Sequence, residues 1–343
     1  MHAKTILFVL ISVFLVFIFA VSVLIGLDLL YHQKYLTIAG LNYRGYRGKV
    51  LSRKKSGEIS IVMLGGSSLF GYGVKYNEAI PEILESALNA PLGNKDKRKK
   101  FSVINLAYNS EGSYAFYFNL HDFDYLDYDY VIIYDGYNDL GIGNTVAYRH
   151  ADPVFRIFKY MPILPMIINE KAMFIRHGGK IEEAYRDKKV AFAPDQKDQI
   201  KIAAIENSLK SYNAIENILN RIKKNDQVDF NINLLTADPW AWYTYYMRKA
   251  IDYTLSRNKK VIIITQPHIS DAHRDQQKAL REMLVKVYAG NSSVTYFDLG
   301  NSISLKDESL CYDGVHLSAK GCRVMAGYIF EKIKEEVKYG YYK

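Results

Sequence analysis

The feature that most constrains this sequence is the apolar, β-branched run at residues 59–64, which leads directly into two glycines and two serines. A nearly unbroken apolar run of this kind, interrupted only by Ser60, is typical of a strand buried on both faces, as in a parallel sheet. Gly65 and Gly66 predict a tight turn at its carboxyl end. Ligands bind beyond the carboxyl ends of strands in open α/β sheets, which makes Ser67 a candidate nucleophile. Taken alone, the motif is more typical of a loop with a capping serine.

Four later segments have the same strand character and are accompanied by helical segments. The predicted strands are residues 101–106, 130–134, 260–265 and 294–299. The predicted helices are residues 81–89, 113–126 and 270–288, and a last helix that ends near Val337 with Ser318 as its N-cap. Strands that alternate with helices imply a parallel sheet with right-handed crossovers, and hence an α/β fold.

One long stretch, residues 141–258, interrupts this alternation. Within it, residues 154–175 are apolar and broken by proline, whereas residues 205–222 repeat apolar side chains every three or four positions, as an amphipathic helix does. Packing against the core is the simplest interpretation of both segments. A lid or a membrane-surface segment is the alternative for residues 154–175.

The N-terminus contains a second strong signal, because residues 6–27 include no charged side chain. As a helix this run is roughly 33 Å long, enough to cross the hydrocarbon core of a bilayer. A small-residue cleavage site is present at residues 20–22, but the run stays apolar beyond it and is longer than the apolar part of a signal peptide. We therefore predict an uncleaved transmembrane anchor. The predicted division of the chain is an anchor at 1–30, a basic juxtamembrane connector at 31–57, and a domain at 58–340 with an insertion at about 141–258.

The chain has a formal net charge of +9, yet its Lys and Arg are scattered apart from clusters at residues 44–55 and 95–100. No basic stripe that would follow a nucleic-acid groove is present, so we expect no nucleic-acid partner. The excess charge indicates solvation and attraction to anionic lipid or glycan. More basic residues follow the apolar run than precede it, and the positive-inside rule alone would place the body in the cytoplasm.

Three predicted loops beyond strand ends offer the groups that acyl transfer needs. Ser67 follows the first strand, Asn138 follows the third, and Asp313 and His316 share the loop after the last. Serine becomes an effective nucleophile when a base takes its proton, and that base needs an acceptor on its other nitrogen. The Asp-x-x-His spacing lets one loop supply both groups. The Asn138 amide, together with backbone N–H groups of Ser67 and of residues 107–112, is a candidate oxyanion hole.

Each of these residues has a more ordinary interpretation when taken alone. His316 by itself fits an ordinary loop histidine, and Ser68 is a second candidate nucleophile. His268 and His273 lack the ligand spacing of a metal site. The Gly-x-Ser-x-Gly elbow of the α/β-hydrolases is absent, because Leu69 stands at its last position.

Taken together, four blocks in this order resemble the SGNH, or GDSL-type, hydrolase family. The blocks are residues 66–68 (Gly-Ser-Ser), 105–112, 136–139 (Gly-Tyr-Asn-Asp) and 313–317 (Asp-Gly-Val-His-Leu). The resemblance implies a three-layer α/β sandwich with a mostly parallel, flavodoxin-like sheet, preceded here by one transmembrane helix. It implies Ser67, Asp313 and His316 as catalytic residues and Ser67, Ser110 and Asn138 as oxyanion-hole residues, without a cofactor or a metal.

The sequence departs from the family pattern at two positions. Gly66 stands where many members carry the Asp of Gly-Asp-Ser, which leaves the nucleophile in place. In the second block, Ser110 occupies the position expected for the oxyanion glycine, and Gly112 lies two residues later. Ser110 retains a backbone N–H, but a Cβ is strained if that position requires a positive φ.

The resemblance also sets expectations for the substrate and the compartment. Family members hydrolyse carboxylic esters and thioesters, and membrane-anchored ones resemble enzymes that remove or move acetyl groups on cell-envelope or exported carbohydrate. We therefore expect a single-pass inner-membrane serine esterase with its catalytic domain outside. An acyltransferase or a non-catalytic glycan-binding partner is the alternative. The sequence leaves open whether Cys311 and Cys322 form a disulfide, which requires an oxidising compartment, or two buried free thiols.

Overall fold

The computed structural model describes residues 3–36, 40–51, 54–90, 100–140, 144–176 and 238–339. The chain divides into two compact units. Among the described residues, one unit holds the N-terminal helix as far as Lys34 together with residues 160–176, and the other holds the sheet and its helices. The helix predicted over residues 205–222 lies outside the described residues.

The sheet unit contains five strands, and every pairing between them is parallel. The strands are β1 Glu58–Gly65, β2 Lys100–Asn105, β3 Tyr130–Asp135, β4 Lys260–Thr265 and β5 Val294–Phe297. Their order in the sheet is β2-β1-β3-β4-β5, which is the flavodoxin-like order. The predicted α/β fold class is thus confirmed, and the five predicted strands match the observed ones to within two residues at each end.

The described α-helices are numbered here in chain order. They are α1 Ala3–Tyr35, α2 Ser67–Phe70, α3 Ile80–Asn89, α4 Ser113–Asp122, α5 Tyr148–Ala151, α6 Pro153–Phe158, α7 Leu164–Arg176, α8 Ala241–Ser256, α9 Asp271–Tyr288 and α10 Ala319–Tyr339. Short 3-10 turns lie at Tyr76–Glu78, Asp124–Leu126 and Tyr137–Asp139.

The helices of the sheet unit form layers around the strands. From β1 the chain moves in one direction through α3 to β2, and it returns in the other direction through α4 to β3. Right-handed crossovers place helices reached in opposite directions on opposite faces. In agreement with this, α3 packs against α10, and α4 packs against α8. The strands between them are apolar and buried, with Ile61 and Val131 inaccessible to solvent.

The helix ends follow from local sequence. Pro81 lies in the first turn of α3, where its missing N–H costs nothing. The Ser270 hydroxyl accepts from His273 N and caps α9, and Ser318 Oγ accepts from Gly321 N in front of α10, as predicted. The tight turn predicted at Ser67 is instead one helical turn, α2, with Ser67 as its first residue.

The N-terminal helix α1 is continuous and its apolar part is exposed. Residues Lys4–Tyr35 are long and apolar enough to cross a membrane, and none of the most apolar stretch is buried. The prediction of one long apolar N-terminal helix is confirmed, and its length and composition fit a membrane anchor and a signal sequence alike.

The segment before β1 contributes a buried guanidinium to the sheet unit. Arg47 is 1% exposed, and its Nη1 donates to Phe70 O at 2.5 Å and to Gly71 O at 2.6 Å. Its Nη2 donates to Val74 O at 2.6 Å. Arg47 therefore holds the turn that follows α2, directly after the candidate nucleophile.

We predict that Arg47→Met destabilises the protein by about 3 kcal/mol or more, because it leaves three buried carbonyls without their charged donor. Urea unfolding of the full chain in detergent measures this change. Arg248→Met removes an exposed arginine from α8 and should change the free energy of unfolding by less than about 0.5 kcal/mol. Equal unfolding midpoints for the two variants would contradict the stabilising role of Arg47.

Candidate active site

Ser67 lies at the carboxyl end of β1, directly after two glycines whose positions have no room for a side chain. A Cβ on Gly65 would overlap the carbonyl oxygen of Tyr134 on the neighbouring strand β3, and a Cβ on Gly66 would overlap the amide nitrogen of Asn138. Two glycines are therefore required for β1 to end against the loop that carries Asn138. Gly66, which departs from the family's Asp, is explained by this close approach of the Asn138 amide. Ser67 itself is half-buried.

His316 and Asp313 are brought to Ser67 from the far end of the chain. His316 Nε2 lies 2.8 Å from Ser67 Oγ, and His316 Nδ1 lies 2.6 Å from Asp313 Oδ2. A carboxylate accepts only, so Nδ1 carries the proton and Nε2 is free to accept from the serine hydroxyl. The structure thus joins the three residues in one hydrogen-bonded chain, as their placement beyond strand ends predicts.

The loop that carries Asp313 and His316 is fixed by its own backbone. Asp313 Oδ1 accepts from the N–H groups of Val315 and His316, and the Ser68 hydroxyl donates to Val315 O. Partial burial opposes ionisation of Asp313, but hydrogen bonds from the His316 ring and from these N–H groups outweigh it and hold the pKa of Asp313 below its usual value. Asp313 therefore presents a stable negative charge to the imidazole. Ser68, the second candidate nucleophile, is bonded to this loop instead of to His316.

Two tyrosines flank the imidazole of His316. The Tyr72 ring lies 4.9 Å from it, and the Tyr312 ring stacks on it at 5.9 Å. The Tyr312 hydroxyl donates to Tyr72 O, which connects the two aromatic residues. Both remain about half exposed, so the rim beside His316 contains two aromatic rings next to the Asp313 carboxylate.

Asn138 lies in the 3-10 turn directly after β3. Gly136 precedes it with φ 151°, and a Cβ there would overlap side chains of α9. The Asn138 amide nitrogen donates to Glu111 O at 2.7 Å, which brings the third block into contact with the second. The predicted oxyanion residue Asn138 therefore lies beside Gly66, one residue from the candidate nucleophile.

Ser110 adopts the left-handed conformation, with φ 61°. From sequence, the Cβ of Ser110 is expected to be strained only if φ is positive. The structure has a positive φ at this position, so the strain is present. The Asn144 amide donates to Ser110 O at 3.2 Å and to Asn138 O at 3.0 Å, so it bridges the two loops that carry predicted oxyanion residues. Asn144 lies outside the four blocks, and no motif in the sequence identifies it.

A buried ion pair lies beneath the second block. Arg149 Nη2 is 2.7 Å from Glu111 Oε2, and both side chains are fully buried. The same guanidinium donates to Leu106 O and Gly45 O, and Glu111 Oε1 accepts from Tyr148 N. The pair therefore fixes the backbone on both sides of Ser110, and sequence analysis missed it because its members are 38 residues apart.

Asp139 connects the third block to α4. Its carboxylate accepts from Ser113 N and Ser113 Oγ at the helix N-terminus, and a Cβ on Gly112 would overlap it. Burial, and then repulsion by the neighbouring Asp139 carboxylate, raises the pKa of Asp135 well above its usual value. Burial raises the pKa of Asp139 as well, but the hydrogen bonds from Ser113 oppose this, so they favour Asp139 over Asp135 as the site of negative charge.

Of the two histidines weighed as metal ligands, His273 is part of the packed core and His268 is half-buried. His273 is fully buried, and burial lowers its pKa to about 4, with His268 adding to the effect. In the part of the chain that the structure describes, no group of three or more His, Cys, Asp or Glu is arranged to hold a metal ion. Cys311 and Cys322 are both buried and free, which is the second of the two arrangements that the sequence allowed.

Comparison with known proteins gives structural neighbours only. No family model matches the chain, and no curated protein matches it. The chain is similar to a family 3 carbohydrate esterase from Clostridium thermocellum, with 10% identity and a TM-score of 0.43 over 82% of this chain and 98% of that one. It is similar to the psychrotrophic esterase EstA from Pseudoalteromonas sp., with 9% identity and a TM-score of 0.43 over 81% of this chain and 98% of that one. It is also similar to a GDSL-like lipase from Bacteroides thetaiotaomicron, with 12% identity and a TM-score of 0.38 over 83% of this chain and 93% of that one. These three neighbours are thus described as a carbohydrate esterase, an esterase and a GDSL-like lipase, and at 9–12% identity the likeness concerns the fold alone.

Proposed function

We propose that this protein is a membrane-anchored serine esterase that hydrolyses carboxylic esters through Ser67, His316 and Asp313. The observation that carries the proposal is the continuous hydrogen-bonded chain from Ser67 Oγ through both nitrogens of the His316 ring to Asp313 Oδ2. A serine hydroxyl, a base and an orienting carboxylate in that geometry are what nucleophilic acyl transfer requires. A serine with only a structural role has no need of a histidine base and an orienting carboxylate.

The reaction runs in two halves on these residues. His316 Nε2 takes the proton of Ser67 as Oγ bonds to the ester carbonyl carbon, and the imidazolium then gives that proton to the departing alcohol oxygen. Water repeats the sequence on the acyl-enzyme, losing a proton to His316 and releasing the carboxylic acid and free Ser67. Asp313 remains ionised throughout and stabilises the imidazolium, consistent with its lowered pKa.

The negative oxygen of each tetrahedral intermediate is stabilised by three proposed donors. They are the backbone N–H groups of Ser67 and Ser110 and the side-chain amide of Asn138. Support comes from the packing of Asn138 Nδ2 against Gly66 and from the bridge that Asn144 makes between Ser110 and Asn138. Donors that are held in place before the reaction need no reorganisation in the transition state.

We propose that the ester is an acetyl ester on cell-envelope or exported carbohydrate, and that α1 anchors the protein in the inner membrane with its body outside. The exposed Tyr72 and Tyr312 rings beside His316 support a carbohydrate partner, because aromatic faces pack against sugar rings. Because Cys311 and Cys322 are free, no disulfide supports an oxidising compartment, and the orientation rests on the family resemblance.

We predict that a fluorophosphonate probe labels the full-length protein at Ser67 and that Ser67→Ala abolishes both labelling and hydrolysis of an aryl acetate. Ser68→Ala is the matched control and should retain labelling, because Ser68 bonds to Val315 O and not to His316. Mass spectrometry of the labelled peptide identifies the modified residue. Labelling at Ser68, or none with a folded protein, would exclude the proposed nucleophile.

The products separate hydrolysis from transfer. With an acetylated oligosaccharide as substrate, release of free acetate supports an esterase. Appearance of the acetyl group on a second glycan, with loss in Ser67→Ala, would instead support the acyltransferase alternative. If Ser67→Ala still binds glycan and the unaltered protein shows no turnover, the alternative of a non-catalytic glycan-binding protein is supported.

For the oxyanion hole, we predict that Asn138→Asp lowers kcat by about 10²- to 10³-fold with a much smaller change in KM, because the side chain keeps its shape but loses its donor. Steady-state kinetics with an aryl acetate measures both parameters. Asn291→Asp, at an exposed position before β5, is the control and should leave kcat unchanged. An unchanged kcat for Asn138→Asp would remove Asn138 from the hole.

We predict that Ser110→Gly raises the free energy of unfolding by about 1 kcal/mol, because glycine adopts a positive φ without the strain of a Cβ. Both Ser110→Gly and Ser110→Ala retain the backbone N–H and should keep kcat within about threefold of the unaltered enzyme. Urea unfolding and aryl acetate kinetics test the two parts. A large loss of kcat in Ser110→Ala alone would show that the hydroxyl, and not the N–H, takes part in the reaction.

A further inference from the structure

The helix α1 does not end where its apolar run ends. It continues from Leu27 through Asp28 and His32 to Tyr35. Asp28 and His32 are four residues apart on one side of the helix and are each only 3% exposed, whereas Leu30 on another side is 64% exposed. A protein segment therefore covers one side of α1 directly after the apolar run, while Leu29 and Leu30 remain 40% and 64% exposed.

Residues 160–164 are the segment that covers Asp28 and His32. Asp28 Oδ1 accepts from the backbone N–H groups of Ile163 at 2.9 Å and Leu164 at 2.5 Å, and Asp28 Oδ2 accepts from the Tyr160 hydroxyl at 2.5 Å. His32 Nε2 lies 2.8 Å from Met161 O and 3.2 Å from Asp28 Oδ2. Among the described residues, the hydrogen-bond donors that face the Asp28 carboxylate thus come from this segment and from His32.

Leu164 is the first residue of α7, so Asp28 caps the N-terminus of that helix from another part of the chain. The free N–H groups of a helix N-terminus and its partial positive charge stabilise a carboxylate. This explains how a buried acidic residue is tolerated immediately after an apolar run. A second contact follows one to two turns along α7, where Lys171 Nζ lies 3.0 Å from the Tyr31 hydroxyl and 5.2 Å from the ring centre.

These contacts fix the depth of α7 relative to the apolar run. Asp28 directly follows the apolar residues 6–27, and Tyr35 lies about 10 Å further along at 1.5 Å per residue. When residues 6–27 cross a bilayer, residues 28–35 therefore lie at the level of the lipid headgroups. Tyr31 and Tyr160 are at the level where aromatic residues are enriched in membrane proteins. The hydrogen bonds from Asp28 to the N–H groups of Ile163 and Leu164 hold the start of α7 at this same level.

The start of α7 is apolar and is not fully covered. Leu164, Pro165 and Ile168 are half-buried, and Met166 is 39% exposed, while Ile167 and Ala172 are buried. Lys171 is exposed as well as bonded to Tyr31. Partly exposed apolar side chains followed by a lysine are typical of a helix that lies in the membrane interface.

We propose that residues 160–176 lie on the surface of the bilayer, as a second membrane contact, with Met166 towards the acyl chains and Asp28 connecting the segment to the anchor. The occupant of this surface is the phospholipid leaflet on the side of the body. The proposal rests on the anchoring part of the proposed function and is independent of the esterase chemistry. The sequence of residues 154–175 allows packing, a lid or a membrane-surface position, and the contacts with α1 favour the membrane surface for the part from residue 160 onwards.

The test uses the full chain in phosphatidylcholine–phosphatidylglycerol vesicles, with Cys311 and Cys322 replaced by alanine and one new cysteine carrying an environment-sensitive fluorophore. The labelled variants are Met166→Cys, Phe17→Cys in the middle of the anchor, and Val285→Cys at an exposed position of α9. Lipids brominated near the headgroup or deep in the acyl chain quench a fluorophore at the same depth. We expect quenching of position 166 mainly by shallow bromines, of position 17 mainly by deep bromines, and of position 285 by neither.

Two outcomes overturn the proposal in distinguishable ways. Quenching at 17 without quenching at 166 means that α7 does not touch the bilayer although the anchor crosses it. No quenching at 17 means that α1 is not inserted, and fluorophosphonate labelling of the same sample at Ser67 then shows whether the esterase part stands alone.

As a further test of the link, Asp28→Ala should reduce the quenching at 166, whereas the matched variant Leu30→Ala should not. Equal quenching in both variants would mean that Asp28 does not hold α7 in place.

Discussion

The structure depends on the close approach of three backbone segments at the carboxyl end of β1. The chain leaves β1 in one direction to form β2 and returns in the other to form β3, so the loops after these strands meet at the point where the strand order reverses. Gly65, Gly66 and Gly112 permit this meeting, because a Cβ at any of them would overlap Tyr134, Asn138 or Asp139. The glycines of the motifs are thus required by the close packing of these loops, and they take no direct part in the proposed chemistry.

Once these loops are in contact, polar groups beneath them keep them in register. Glu111 and Arg149 are a fully buried ion pair that fixes the backbone on either side of Ser110, and Arg47 fixes the turn that follows α2. A buried ion pair repays its desolvation only when further hydrogen bonds complete it, and here Leu106 O and Tyr148 N do so. The two guanidinium groups hold the backbone around Ser67 and Ser110 without taking part in the proposed reaction.

Much of the fold and of the candidate site could be predicted from sequence. The five strands are mostly apolar runs, and parallel strands bring the residues after them to one edge, which is why sequence alone places Ser67, Asn138 and His316 together. Asp313 followed from its spacing to His316. These predictions depended on short-range patterns and on one topological rule.

The residues that escaped prediction act over long separations or through backbone conformation. Arg47, Asn144 and Arg149 bind carbonyl groups or side chains of distant segments, and no local pattern marks an arginine as buried. The positive φ of Ser110 could be stated only as a condition, because it is set by the contacts of its loop and the residue type gives no sign of it. Asp28 is similar, because the segment that covers it lies more than 130 residues further along the chain.

The most direct test of the central claim is a crystal structure of the full chain after reaction with an aryl phosphonate ester, which mimics the tetrahedral intermediate. We expect phosphorus bonded to Ser67 Oγ, with its free oxygen within hydrogen-bond distance of Ser67 N, Ser110 N and Asn138 Nδ2, and with His316 between Ser67 and Asp313. A structure with Ser67 unmodified and distant from His316, or with phosphorus on another residue, would contradict it.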